Sequence, residues 1–427
     1  MTLREDWEFR GLIHQTTDDA IFDRLEAGGV TAYIGFDPTA SSLHLGSLLQ
    51  ILNLRRLQLA GNQPIALAGG GTGLIGDPSF KAVERPLLTD EQLQENVNGI
   101  RSQLGRFLDF SPSAGASQAL LLNNADWLTT ISLTDFLRDV GKHFTVNQMV
   151  AKDSVKSRLD RDDVGLSFTE FSYMLLQAYD FLRLNVDRNC TLQLGGSDQW
   201  GNITMGTELI RKVTGKGTGA GITSPLLLKA DGTKFGKSES GENIWLDPAR
   251  TSPFAMHQYL LNADDATVPT LLRFFTFLDH DTIRDLDEAT ASAPQERRAQ
   301  RALANEVVAL VHGAETAEKA QRAGEALFAE SIADLDQETF LQVVADAPSS
   351  TWSRSELDAG VELTELLTRC SLAKSKGEAR RFIEQGGVYI NNVRVDGEEP
   401  VTSARALHGK YMVVRRGRRE LHLVVLS

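Results

Sequence analysis

The chain has 427 residues, 41% of them apolar and 24% charged, which is the make-up of a globular protein of roughly two to four domains and excludes global disorder. No run nears the ~18 consecutive apolar residues that a membrane helix needs, and the opening MTLREDWEFRGLIHQ has no apolar secretory core, so a cytoplasmic protein is expected. Two distant cysteines, Cys190 and Cys370, and eight scattered histidines with no HExxH helix exclude a disulfide framework, a CxxC zinc site and a tightly held metal, so no metal ligand is assigned and both thiols are expected to be inert.

In chain order, Val30 to Phe36 (VTAYIGF) form a β-rich run ending at a DPTAS turn, and LGSLLQILNLRRLQLAG continues as a helix that stops at Gly61. QPIALAGGGTGLIGDPS repeats the pattern, a buried strand breaking into a glycine-rich turn. Two consecutive strand-turn-helix units predict an α/β domain with a doubly wound parallel sheet of Rossmann type across residues 1–246. TDEQ opens a crossover helix over 90–107 with a capping pattern, and ALLLNNADWL reads as an apolar strand ending in polar residues. Residues 132–159 read as helices carrying exposed apolar positions, a candidate subunit interface. FTEFSYMLLQAYDFLRL is a strong helix, CTLQLGG a strand, SDQWGN a polar turn into another helix, and the sheet is expected to close near SPLLLKADG.

From 247 to 348 only helices are expected, an all-helical domain. DAPSSTWSRSELDAGVE is turn-rich and places a linker at 349–362, and residues 363–427 predict two short helices followed by β structure, a small α+β domain. Charge divides along the same line. From Leu363 onward 12 Lys or Arg stand against 7 Asp or Glu, a balance of +5, which leaves −18 of the net −13 on the rest. An acidic body with a basic tail domain suits a polyanionic partner.

Four stretches carry chemistry, each with a plainer reading beside it. In GGGTGLIG, Gly71, Gly73 and Gly76 satisfy the dinucleotide pattern GxGxxG. The plainer reading is a turn whose backbone passes close to a neighbour, and no acidic residue ends a second strand about 20 positions on. In KADGTKFGKSESG, Lys234 and Lys237 could clamp a polyphosphate as its charge redistributes, or belong to a solvated basic loop. In HLGS, His44 at a helix start could face a phosphate, with Gly46 leaving room for a flat nucleotide, although a lone histidine on an amphipathic helix is more often structural. In FSYMLLQAYD, Tyr173, Gln177 and Asp180 fall at i, i+4 and i+7 on one helix face. A core stripe suits the tyrosine, whereas a buried Gln and Asp need polar partners.

GFDPTASSLHLG, GDPSFKAVER, GGSDQWGN and KFGKS occur in this order on one α/β scaffold, and together they resemble the class I aminoacyl-tRNA synthetases, whose signatures are of HIGH and KMSKS type. HLGS and KFGKS are the matching stretches, with Ser47 where a second histidine would stand. Within that class the resemblance is to the bacterial tyrosyl enzymes and extends over nearly the whole chain. It implies a substrate phenol gripped by Tyr33 and Asp180, an α-ammonium held by Asp77, Tyr173 and Gln177, and support from Gln193 and Gln199. On the ATP side it implies Gly35, Asp37, Thr39, His44, Gly46 and Ser47 about the adenosine and phosphates, Gly195 giving backbone room, and Asp198 on the ribose. Lys81, Arg85, Lys234 and Lys237 would neutralise the β- and γ-phosphates as pyrophosphate leaves, with ATP arriving as a magnesium complex.

The catalytic set implied is therefore Thr39, His44, Lys81, Arg85, Lys234 and Lys237, and none acts as a nucleophile, because the tyrosine carboxylate itself attacks the α-phosphorus. Phenylalanine would leave the phenol and carboxylate unpaired in a dry pocket, a rule for which the tyrosyl enzymes are the standing example.

The tail from Leu363 resembles a small RNA-binding module named after a ribosomal small-subunit protein. Arg369, Lys374, Lys376, Arg380 and Arg381 are expected to meet RNA phosphates, the plainer reading being a merely soluble basic domain. The resemblance implies ATP-dependent activation of L-tyrosine and its transfer to the 3′-terminal ribose of tRNA(Tyr) by a homodimer, with the helical domain on the anticodon arm. A tryptophanyl enzyme and a catalytically silent RNA-binding relative are the alternatives. Tyr33 and Asp180 favour a phenol, and the presence of both loop lysines argues against silence.

Overall fold

Helices α1 (Leu3–Arg10) and α2 (Ile21–Ala27) lead into a six-stranded sheet. Its strands are β1 (Gln15–Thr16), β2 (Thr31–Phe36), β3 (Gln63–Ala68), β4 (Leu120–Asn123), β5 (Cys190–Gly196) and β6 (Ala220–Ser224), lying in the order β1-β6-β5-β2-β3-β4. Every pairing is parallel except that of β1 with β6. The chain winds outward from β2 through β3 to β4, then returns to β5 and winds the other way, which is the doubly wound arrangement expected. β2, β3 and β5 read as apolar runs because both their faces are covered. The last described strand of this sheet in sequence, AGITS, ends on the Ser224 that opens SPLLLKADG, near which the sheet is expected to close; not foreseen is the two-residue edge strand β1, too short to show a period.

The computed structural model describes residues 1–77, 89–152, 155–156, 166–227, 235–236, 242–328, 332–345, 347–397, 399–417 and 420–427. Two units divide them, Met1–Thr251 with Ala263–Leu303, and Ser252–Asn262 with Ala304–Ser427.

Within the first unit, α3 (Leu45–Leu59) starts at His44 and is buried on most of its circumference, including Leu48, Ile51, Leu52 and Arg56. α4 (Asp90–Leu104) begins with the capping box foreseen in TDEQ: Thr89 Oγ1 accepts from the Gln92 amide and the Gln92 side chain accepts from the Thr89 amide. α5 (Phe168–Arg188) is capped by Ser167 with Glu170 and ends at Asn189, whose φ of 51° is the left-handed stop that Asn tolerates. α6 (Trp200–Thr214) packs on α5 where Gly206 meets the Phe181 ring, and a Cβ there would lie 2.9 Å from Phe181 Cδ1. Tyr33, Ile65, Leu67, Met174, Ala178, Phe181 and Met205 share the core beneath. α7 (Val268–Phe275) and α8 (His280–Ser292) belong to this unit, so the expected boundary at 246/247 is not where the compact body ends.

In the second unit, helices Pro253–Leu261, Ala314–Phe328 and Gln337–Val343 share a core with the C-terminal sheet through Phe254, Ala323, Phe340, Val413 and Leu423. That sheet contains β7 (Ser349–Trp352), β8 (Val388–Ile390), β9 (Val393–Arg394), β10 (Tyr411–Arg416) and β11 (Glu420–Leu426), in the order β7-β11-β10-β8-β9. Among the described residues of 247–347 there are helices and no strand, as expected. The linker expected at 349–362 is corrected, because β7 pairs parallel with β11 and Trp352, Leu357 and Val361 are core residues. Its serines suggested a turn, while the buried tryptophan fixes it in place. Burial pushes both thiols, Cys190 and Cys370, up to about 12, which suppresses thiolate chemistry. No described helix is long and apolar enough to cross a membrane.

Candidate active site

The winding direction reverses between β2 and β5, and the carboxyl ends of those strands open the crevice where a doubly wound sheet places its ligand. Tyr33 on β2 and Gln193 on β5 lie side by side in register. Both are buried, and among the described residues neither Tyr33 Oη nor Gln193 Oε1 has a hydrogen-bond partner. Buried polar atoms are seldom left so, and a polar ligand group would satisfy them.

Asp180 reaches the same place from α5 at 3% exposure. Its Oδ1 accepts from Trp127 Nε1 at 2.7 Å and its Oδ2 from Asn124 Nδ2 at 2.9 Å. Burial pushes this carboxyl up to about 7; the two donors oppose the rise and the charge of Asp37 adds to it. Burial, and then the charge of Asp180, holds the Tyr33 phenol well above its ordinary value, so it remains a neutral donor. Asn124 and Trp127 were not foreseen. In ALLLNNADWL they read as the polar end of a strand, and the available signal was chemical: a buried carboxylate needs neutral N–H donors, which Asn and Trp provide.

At the other end, Tyr173 Oη donates to both oxygens of Asp37, at 3.1 and 3.3 Å, and Thr72 Oγ1 donates to Asp37 at 3.2 Å. Gln199 Nε2 donates to Asp77 at 2.8 Å. Asn202 Nδ2 joins Gln177 Oε1, at 3.0 Å, to Gln199 Oε1, at 3.2 Å. Asp77, Gln177 and Gln199 are thus brought together as expected, by an asparagine that sequence reasoning missed. Tyr173, implied to hold the ammonium with Asp77 and Gln177, donates its hydrogen bond to Asp37, which the resemblance implied on the ATP side. Burial raises the Tyr173 phenol, followed by the charges of Asp37, Asp77 and Asp180. Asp37 and Asp77 beside this phenol make this end of the crevice receptive to an ammonium.

The glycine-rich turn is accounted for inside the protein. The amides of Gly70 and Gly71 donate to Asn123 Oδ1 and Asn124 Oδ1 at 3.1 and 2.7 Å, and Asn124 Nδ2 also reaches Thr72 Oγ1 at 3.0 Å. A Cβ at Gly71 would lie 2.9 Å from Leu128 Cβ, one at Gly73 2.9 Å from Leu93 Cδ1, and Gly76 has φ of 85°. The plainer reading of GxGxxG therefore holds: the glycines permit close packing against β4 and its neighbours.

On the nucleotide side, His44 precedes α3 in extended conformation, with its ring edge-on to Trp245 at 6.0 Å. Amides of Leu45 and Leu246 donate to the carbonyls of Ile244 and Leu43 at 2.8 and 2.9 Å, clasping the signature to the segment after the lysine loop. A Cβ at Gly46 would fall 2.9 Å from His44 Cε1, so this glycine makes room for the histidine ring as well as for a ligand. The Ser47 amide donates to the His44 carbonyl at 2.8 Å. Phe235 and Gly236 are the described residues of KFGKS. Gly236, at φ of 94°, backs onto Gly46, where a Cβ would sit 3.0 Å from the Gly46 amide nitrogen, and the two signatures meet.

Gly35 has open space where a Cβ would be, and Thr39 is exposed, with its amide donating to the Asp37 carbonyl at 2.9 Å. Gly195 allows Gln199 Cβ to approach within 3.0 Å of a would-be Cβ, and Asp198 lies in the turn Ser197–Gln199 between β5 and α6. Lys81, Arg85, Lys234 and Lys237 lie outside the described residues.

In the tail, Lys374, Lys376, Arg380 and Arg381 are exposed on, or just before, helix Lys376–Glu384. Arg369 stands apart from them. Its guanidinium lies 3.6 Å above the Trp352 ring and pairs with Glu356 at 2.5 Å.

Residues 26–329 match the family described as tRNA synthetases class I (W and Y), and residues 339–424 match the tyrosine-tRNA ligase SYY-like C-terminal domain. The tyrosine-tRNA ligase of Roseiflexus castenholzii is 52% identical over 427 residues, 100% of this chain and 99% of that relative. That of Opitutus terrae is 49% identical over 427 residues, 99% of each. A C-terminally truncated Aspergillus nidulans mitochondrial tyrosyl-tRNA synthetase matches in structure with a TM-score of 0.67 at 31% identity, covering 77% of this chain and 94% of that one. With both signatures in contact at the switch point of its sheet and relatives aligned along its full length, the chain belongs to the class I aminoacyl-tRNA synthetases, in the tyrosine-tRNA ligase family.

Proposed function

We propose that the chain activates L-tyrosine with ATP, releasing pyrophosphate, and transfers the tyrosyl group to the 3′-terminal ribose of tRNA(Tyr). The observation that carries the tyrosine assignment is the phenol end of the crevice: Tyr33 Oη, buried and with no hydrogen-bond partner among the described residues, beside the buried carboxylate of Asp180. A substrate hydroxyl donates to Asp180 and accepts from Tyr33. A substrate without one strands both groups in a medium without water.

The ammonium lies among Asp77, Gln177 and Tyr173, with Asp37 behind, Gln193 and Gln199 supporting the pocket, and the substrate carboxylate attacks the α-phosphorus of ATP. His44 and Thr39 stabilise the charge that develops there, while Gly35, Gly46, Ser47 and Gly195 let the nucleotide lie against backbone and Asp198 takes its ribose. Lys81, Arg85, Lys234 and Lys237 neutralise the departing pyrophosphate, and ATP enters as its magnesium complex.

Residues 247–348 serve the anticodon arm and the basic tail meets RNA phosphates through Lys374, Lys376, Arg380 and Arg381, with Arg369 braced on Trp352. A homodimer is supported by Leu133, Val146 and Phe168, apolar side chains 72%, 64% and 77% exposed in the first unit. The site of action is the cytoplasm, where tRNA is charged.

Exchange of labelled pyrophosphate into ATP, with tyrosine, tryptophan and phenylalanine compared, tests this reading. Exchange is expected with tyrosine, and exchange with tryptophan alone would replace the assignment by the other branch of the family.

A further inference from the structure

Arg56, in the last turn of α3, and Arg10, at the end of α1, are 4% and 5% exposed. Both aim at one target, the carbonyl end of α7. Arg56 Nη2 donates to the carbonyls of Phe274, Thr276 and Arg273 at 2.9, 3.1 and 3.4 Å. Arg10 Nη1 donates to those of Thr276 and Arg273 at 3.1 and 3.3 Å, and its Nη2 to that of Leu278 at 2.7 Å. The last carbonyls of a helix lack intrahelical partners and form the negative end of its dipole, so a pair of guanidiniums answers both needs.

Holding two like charges together in the interior is costly. Burial first, and then the charge of Arg10, pulls the Arg56 guanidinium down to about 9, against the opposing charge of Asp6. Asp6 pairs with Arg10 Nε at 2.8 Å and is also bonded to His280 at 2.8 Å. The Phe277 ring lies 5.0 Å from the Arg56 guanidinium.

α7 ends on Phe275, which is 0% exposed and stacks on Phe235 with centroids 6.0 Å apart and ring planes 29° apart. Phe235 is the second residue of KFGKS. Its amide donates to the Leu227 carbonyl at 3.0 Å, and Gly236 beside it backs onto Gly46 at the start of α3. α3, with 15 residues, is about 22 Å long, so one rigid helix carries the HLGS signature at its first turn and, at its last, the clamp that holds the seat of the other signature.

We propose that Arg56, with Arg10, is a positioning residue for adenylate formation: by holding the carbonyl end of α7 it fixes Phe275 as the seat of Phe235, and so holds Phe235 and Gly236, the described part of the loop whose sequence contains Lys234 and Lys237, against Gly46 at the start of α3. The inference rests on the reading of those lysines as phosphate ligands.

Single-turnover adenylate formation and equilibrium tyrosine binding test it in Arg56→Lys, Phe275→Leu, Phe235→Ala and Lys237→Ala, together with the Arg56→Lys/Phe235→Ala double variant. Each single variant is expected to slow adenylate formation tenfold or more while leaving the tyrosine Kd within twofold. The double variant is expected to be no slower than Phe235→Ala alone, because Arg56 acts through that ring. Losses of tyrosine affinity that match the rate losses, or losses that multiply in the double variant, overturn the proposal. If Lys237→Ala is slow while Phe275→Leu and Phe235→Ala keep the parent rate, the seat fails and the lysine reading stands; if Lys237→Ala keeps the parent rate, both fall. Phe275→Leu and Phe235→Ala leave both guanidiniums in place and carry the test if Arg56→Lys does not accumulate as folded protein.

Discussion

The two ends of the crevice are built in different ways. At the end proposed for tyrosine the polar groups are buried side chains tied to one another, with Asp180 held by Asn124 and Trp127, and Asp77, Gln199, Asn202 and Gln177 linked in a chain. At the end proposed for the nucleotide the surfaces are glycine and backbone, with open space at Gly35 and the two signatures pressed together at Gly46 and Gly236. The contrast follows from the two tasks. Choosing a hydroxyl requires donors and acceptors whose desolvation has already been met in the fold, so that a wrong substrate leaves them unpaired. Handling a triphosphate requires close approach and charges placed where negative charge develops, which glycines and a loop supply.

Substitutions can break that contrast. The largest effect is expected from Asp180→Ala, which strands the Trp127 and Asn124 donors as well as the substrate hydroxyl. Its kcat/KM for tyrosine in pyrophosphate exchange should fall about 10³-fold, roughly 4 kcal/mol. A loss under tenfold would show that the phenol end does not govern selection. His44→Ala should slow adenylate formation about 10²-fold at unchanged tyrosine Kd, the scale of one lost transition-state donor. An equal loss of tyrosine affinity would erase the distinction between the two ends.

Smaller changes sharpen it. Trp127→Phe removes one donor from the buried carboxylate and should weaken tyrosine binding about tenfold, near 1.4 kcal/mol, with the ATP KM unmoved. Titration gives a fourth test. Under the proposed reading the Asp180 carboxyl, held at about 7, accepts the substrate hydroxyl in its ionised form, so protonation on the acid side removes the acceptor. Tyrosine affinity should therefore fall about tenfold from pH 8 to pH 6 and level off above pH 8, as a single titrating group requires. Asp180→Asn should flatten that profile in a binding titration. The smallest effect is expected from Ser47→Ala, within about threefold in adenylate formation, because the hydrogen bond seen at Ser47 comes from its amide and not from its hydroxyl.

Local patterns made part of this protein legible in its sequence. β2, β3 and β5 appear as apolar runs bounded by turn residues, TDEQ announces the start of α4, and the spacing of Tyr173, Gln177 and Asp180 puts three polar groups on one face of α5. These follow from strand and helix periods and from capping, which act within a few residues. The resemblance carried by HLGS and KFGKS then supplied the chemistry.

The rest was settled by contacts between distant positions. Asn124 and Trp127 lie 56 and 53 residues from the carboxylate they serve, and Asn202 lies 25 from Gln177. No period links such partners, because a buried polar group takes whatever complement packing brings within reach. Residues 349–362, rich in serine and read as a linker, become β7 and core because β11 offers an edge to pair with and Trp352 an apolar face to bury. Arg56 looks like a surface charge in LNLRRLQL, and only the fold turns it inward onto the last carbonyls of α7. Sequence alone determined the long helices, the inner strands of the first sheet and which chemical groups are at hand, since these depend on near neighbours. Tertiary structure decided which polar groups are partners, since in the interior a hydrogen bond depends on distance through space and not along the chain.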